Sequence, residues 1–222
     1  MKNIIGTIGA LYENCLIASI AHAFAIARFP DIANEISWDG NNFNIQSGES
    51  RGTITFSNCE AVGAFRKESS IRINEYPQKK AISFFDEAPE VVQHIAKADT
   101  LEYLYDNIDG LNMPVATTGF WTEKNHIYSL DTLEIFEEQG GIIVKNILQK
   151  NSGEALEFWV GFYDLNEVLS IAIKNLSKKR NATSDREIII TIEELLCLVG
   201  DEAMTIDDVI ESLSEIKIRV ER

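Results

Sequence analysis

Residues 12–29 limit the fold more than any other stretch. Leu16, Ile17, Ile20, Phe24, Ile26 and Phe29 are interleaved with Ala18, Ala21, Ala23, Ala25 and Ala27, so the segment is apolar around almost its whole circumference. A helix with one apolar stripe lies on a surface, whereas one apolar all round is enclosed by neighbours on several sides. The pattern predicts a buried helix over 12–29, ended by Pro30, which cannot continue helical hydrogen bonding. The apolar run 4–11 that precedes it does not read as a secretory leader, because Tyr12, Glu13 and Asn14 replace the small-residue cleavage site. No stretch reaches the roughly 18 clean apolar residues of a membrane span.

Beyond Pro30 the period changes. Trp38, Phe43 and Ile45, then Thr53 to Phe56, then Val62, Ala64 and Phe65, and finally Ile71 and Ile73 come in short bursts. Asp39-Gly40-Asn41-Asn42, Ser47-Gly48 and Ser57-Asn58 separate them. Short β-rich runs divided by turn residues predict an antiparallel meander. Residues 86–107 read as helix in two pieces, with Asp86 capping the first and Asp99 with Glu102 boxing the second. Ile142-Ile143-Val144 and the run 156–160 flank Lys150-Asn151-Ser152-Gly153, which predicts a second β-hairpin. A helix follows from Asp164 and Glu167, then an exposed loop at 178–185. Two short helices open at Thr191 with Glu194 and Thr205 with Asp208, Gly200 stops the first, and residues 217–220 form a last strand.

Helices and antiparallel strands therefore come in blocks rather than in βαβ alternation, which gives an α+β fold. The expected organisation is a single domain over 1–222, and a subdivision, if there is one, falls near 109–114 at Asp109-Gly110 and Pro114.

Charge bounds the function. Thirty-five acidic residues against twenty basic ones give a net charge of -15. Such a surface repels the phosphate backbone and anionic lipid, so neither nucleic acid nor membrane is an expected partner, while a basic protein is. The excess is concentrated at the end: residues 185–222 hold eleven Asp and Glu against four Lys and Arg. Conversely, Arg66, Lys67, Arg72, Lys79 and Lys80 make 66–80 locally basic. Cys15, Cys59 and Cys197 are too widely spaced for a zinc site, and Gly6-Thr7-Ile8-Gly9 lacks the third glycine of a dinucleotide fingerprint. No metal and no cofactor are expected, and free thiols point to a reducing cytoplasmic compartment.

Two functional readings follow. In the first the chain is a non-enzymatic acidic binding protein, comparable in charge and size to bacterial immunity proteins and antitoxins that inhibit a basic partner. Asp201, Glu202, Asp207, Asp208 and Glu211 would form its recognition surface. In the second it is a cysteine hydrolase. Cys15 near the start of the helix would gain thiolate character from the helix field, His126 would act as base and Asp131 or Asn146 as orienter, the residue order of papain-like enzymes. Cys15, Ser19 and His22 also share one helical face, which reads as polar core groups bonded to nearby carbonyls. The first reading is preferred, because the surroundings of Cys15 lack the glycine-rich signature of a cysteine protease.

Overall fold

The computed structural model describes every residue except 1, 5, 6, 58, 59, 184, 185 and 201–204. The chain forms two compact units: unit 1 is Met1–Gly9 with Asn41–Gln149, and unit 2 is Ala10–Gly40 with Lys150–Arg222. In chain order the strands are β1 (Lys2–Ile4), β2 (Ile36–Asp39), β3 (Asn42–Ser47), β4 (Ser50–Ser57), β5 (Glu60–Lys67), β6 (Tyr105–Ile108), β7 (Leu111–Pro114), β8 (Thr118–Glu123), β9 (His126–Ser129), β10 (Ile188–Thr191) and β11 (Ile218–Glu221). The helices are α1 (Ile8–Ile26), α2 (Glu90–Ala98), α3 (Leu133–Glu138), α4 (Lys145–Leu148), α5 (Ser152–Phe162), α6 (Glu167–Thr183), α7 (Ile192–Val199) and α8 (Ile206–Glu215). The architecture is α+β, as the blocks of pattern predict.

Unit 1 is built on an antiparallel sheet in the order β1-β9-β8-β5-β4-β3. Its register sets Gly52 opposite Phe65 and Gly63 opposite Phe120. A Cβ at these glycines would lie 2.1 Å and 2.3 Å from the facing rings, so the glycines exist to let the aromatic side chains lie across the sheet. On one face Val62, Ala64 and Trp121 meet α2 through Val92 and Ala96, together with Phe85 and Leu101. On the other, Phe65 and Phe120 pack against Phe136 of α3 at centroid distances of 5.6 and 6.2 Å. Ile71 and Ile73, read as strand from sequence, lie in a 3-10 turn, Ile71–Glu75.

In unit 2, α1 is buried from Leu11 to Ile26 except for Tyr12 and Glu13. Against the expectation from sequence, the helix is long and apolar enough on average to cross a membrane, and 72% of that window is buried within the fold. Its buried polar side chains, Asn14, Ser19 and His22, each make at least one hydrogen bond, as a helix enclosed by apolar neighbours requires. The Ser19 hydroxyl donates to the Cys15 carbonyl at 2.8 Å and accepts the Trp38 indole N–H at 2.7 Å. The Asn14 amide donates to the Lys150 carbonyl at 2.8 Å. Strands β10 and β11 pair in parallel, and α8 buries Val209 and Leu213.

The structure corrects several local expectations. A second antiparallel hairpin is present, but it is β6–β7, and it runs through 105–114 inside unit 1. The predicted hairpin around 150–153 is instead the start of α5, where Asn151 and Glu154 form a reciprocal capping box. The predicted loop at 178–185 is helical through Thr183, because Ser177 and Arg180 turn inward and Arg180 donates to the Ile216 carbonyl at 2.7 Å; residues 184 and 185 lie outside the described residues. Asp99 and Thr205 make no side-chain cap, whereas the box of Thr191 with Glu194 is formed as read and Gly200, at φ 88°, ends that helix.

Candidate functional site

Cys15 is the natural starting point for any chemistry, and its environment opposes it. Helix α1 begins at Ile8, so Cys15 sits in its third turn rather than at its N-terminus, beyond the reach of the terminal field. Its exposure is 0%, and burial pushes the thiol well above its ordinary pKa. A nucleophilic cysteine needs the opposite on both counts. His22, two turns on, donates its Nε2 hydrogen to the Ile32 carbonyl at 2.9 Å, and burial lowers its pKa, so the ring is a neutral core group.

The other members of the predicted triad have different employment. His126 is exposed on β9, with Nδ1 2.9 Å from the Lys124 carbonyl. Asp131 is buried and held by Arg72 through two hydrogen bonds of 2.8 and 2.9 Å, and it accepts a third from the Thr118 hydroxyl at 2.6 Å. Burial pushes the Asp131 carboxyl up, but the Arg72 and Thr118 bonds outweigh it and hold the group below its usual range. Three of its acceptor positions are thus committed within unit 1 to structural partners. Expected behaviour follows for the thiol. In a Cys59→Ser/Cys197→Ser background the native protein should react with a thiol reagent far more slowly than the unfolded chain, and equal rates would restore Cys15 as a nucleophile.

The acidic residues are placed to act outward. Asp201 and Glu202 lie outside the described residues. Asp207, Asp208 and Glu211 are exposed on α8, opposite the buried Val209 and Leu213. Asp207 is ion-paired with Arg222, whereas among the described residues neither Asp208 nor Glu211 has an ion-pair partner. Asp208, Glu211 and Glu215 line a cavity of about 180 Å³ together with Asn34 and Ser37. Glu215 accepts the Trp38 backbone N–H at 2.7 Å. Burial pushes its carboxyl above the ordinary value against that bond, and Glu211 and Asp39 add to the rise. Among the described residues no group of three or more His, Cys, Asp or Glu is arranged to hold a metal ion.

Unit 2 also exposes large apolar side chains that sequence reading did not single out: Phe162 at the end of α5, and Val168 and Ile171 on α6, are 59%, 59% and 55% exposed. They fall within ten residues of chain that carry Asp164 and Glu167 and no Lys or Arg. The rings of Phe158 and Phe162 stack at 5.7 Å, so the exposed ring is held in place. The missed signal was the spacing i, i+4 of the two phenylalanines, which is invisible while the segment is taken for a strand.

No protein-family model, curated protein or solved structure matches this chain.

Proposed function

We propose that the protein is a non-catalytic binding protein whose unit 2 presents an acidic surface to a basic protein partner, in the manner of an immunity- or antitoxin-type inhibitor. The observation that carries this reading is the pair of carboxylates, Asp208 and Glu211, without ion-pair partners among the described residues and exposed on a helix whose apolar side is already buried. Charge of this kind is free to steer an incoming cation, because it is not spent on the protein's own lysines and arginines. The exposed Phe162, Val168 and Ile171 supply what charge alone lacks, apolar area that slows release once contact is made. Burial of Cys15 argues against the hydrolase reading.

The test begins with capture of basic proteins from the native host at low salt and proceeds to rates with the purified partner. Reversing Asp207, Asp208 and Glu211 to Lys should slow association on the order of tenfold and flatten its salt dependence, with dissociation less affected. The melting temperature should hardly move, since all three side chains are exposed. An association rate unchanged at low salt would leave the acidity as solvation only.

A further inference from the structure

Unit 1 carries a concave site of the opposite character. Helix α2 turns Val92, Ile95 and Ala96 inward, which leaves Val91, His94 and Lys97 on its outer stripe at a spacing of three. That stripe, the segment Lys80–Ile82, and Tyr105, Met113 and Pro114 of the β6–β7 hairpin enclose a groove of about 1010 Å³. The volume is that of a site for a drug-sized ligand, and its lining is mostly apolar with a few polar groups, the usual composition of such sites. Two of its walls are apolar surfaces left to water, since Val91 is 56% exposed and Tyr105 50%.

The lysines of the groove differ from the other lysines of the unit. Lys67, Lys79, Lys124 and Lys145 each lie within ion-pair distance of a carboxylate. Of the lysine side chains described in unit 1, Lys80 and Lys97 alone have no such partner, and both line this groove. Glu90 is the one carboxylate in the lining. In a chain of net charge -15, two unpaired ammonium groups converging on one apolar groove are a selective feature rather than an average one. The basic run read from sequence at 66–80 is otherwise neutralised internally, Arg66 by Glu68 and Asp106, and Arg72 by Asp131.

We infer that this groove binds an amphipathic organic anion, with an extended apolar body against Val91, Tyr105 and Met113 and a carboxylate head held by the rim lysines. A peptide fits the lining less well. Its backbone amides need partners, and the Gln93 amide is already donated to the Ala88 carbonyl at 3.0 Å. An alkyl or aryl body needs none. This inference is independent of the acidic surface of unit 2, and neither stands or falls with the other.

Titration calorimetry on the full chain tests it, with dodecanoate below its micelle concentration as probe and dodecyltrimethylammonium as the same tail with reversed charge. Dodecanoate should bind at one site, about tenfold or more tighter than the ammonium. Lys80→Glu, Lys97→Glu and Val91→Asp should each weaken it by about tenfold, a change worth one decade in Kd. All three positions are exposed, so the variants should melt with the parent. No saturable binding, equal affinity for the two tails, or indifference to the three substitutions would overturn the inference. So would failure of dodecanoate alongside lysine-dependent binding of an acidic amphipathic peptide, which would make the groove a peptide site.

Discussion

Phe24→Asp is expected to leave the chain unable to fold. Phe24 is 1% exposed, and on α1 every residue from Asn14 to Ile26 is buried, so no rotation of the helix offers the carboxylate a path to water. An unpaired charge in such surroundings costs several kcal/mol, and loss of the phenyl ring adds about 3–5 kcal/mol of packing. Together they approach or exceed the roughly 5–15 kcal/mol by which domains are stable. Phe24→Leu, which keeps most of the apolar volume, should instead lose on the order of 1 kcal/mol and remain cooperative. Circular dichroism melts of the two variants distinguish the outcomes. A soluble Phe24→Asp protein with a sharp transition would mean that α1 is not the element around which unit 2 is organised.

That helix was legible because its signal is composition over many residues, which no competing pattern imitates. The meander was legible for a different reason: turns demand particular residues, and Gly40 and Gly48 do adopt φ of 59° and 56° where the sequence places turns. The misread segment 150–160 shows the limit. Phe158, Trp159 and Val160 have strand propensity, yet the Asn151–Glu154 box starts a helix, and ring pairs at i, i+4, Phe158 on Phe162 and Trp159 on Tyr163, sustain it. Tertiary and capping terms of this kind override propensities worth a few tenths of a kcal/mol each. Arg180 shows the same limit in another form. A run of Lys-Lys-Arg-Asn reads as solvated loop until its arginine, Arg180, proves to be 5% exposed and bonded through Nε to the Ile216 carbonyl beyond α8. The groove of unit 1 had no sequence signature at all, because its lining comes from three separated segments. Only the absence of partners for Lys80 and Lys97 identifies it, and absence of a partner is a property of the fold.

The Arg72–Asp131 pair offers the second large effect, and it bears on the question of chemistry. Arg72 donates twice to Asp131, bonds the Thr117 carbonyl at 2.7 Å and lies 5.6 Å from the centre of the Phe84 ring. Removing one partner strands the other charge in a largely desolvated site, so Asp131→Asn or Arg72→Leu should each cost about 3 kcal/mol or more. Replacing both by leucine should cost much less than the sum, since no charge is then left buried. The pH dependence has a definite sign. Asp131 is held below its unfolded pKa of about 3.9, so its contribution is complete above that pH and is lost as pH falls through it towards the folded value. The parent should therefore lose stability more steeply below about pH 4 than the double leucine variant, as urea melts along a pH series will report. An Asp131→Asn protein as stable as the parent, with the same acid limb, would show that the carboxylate is not committed to structure and would return it to consideration as a catalytic group.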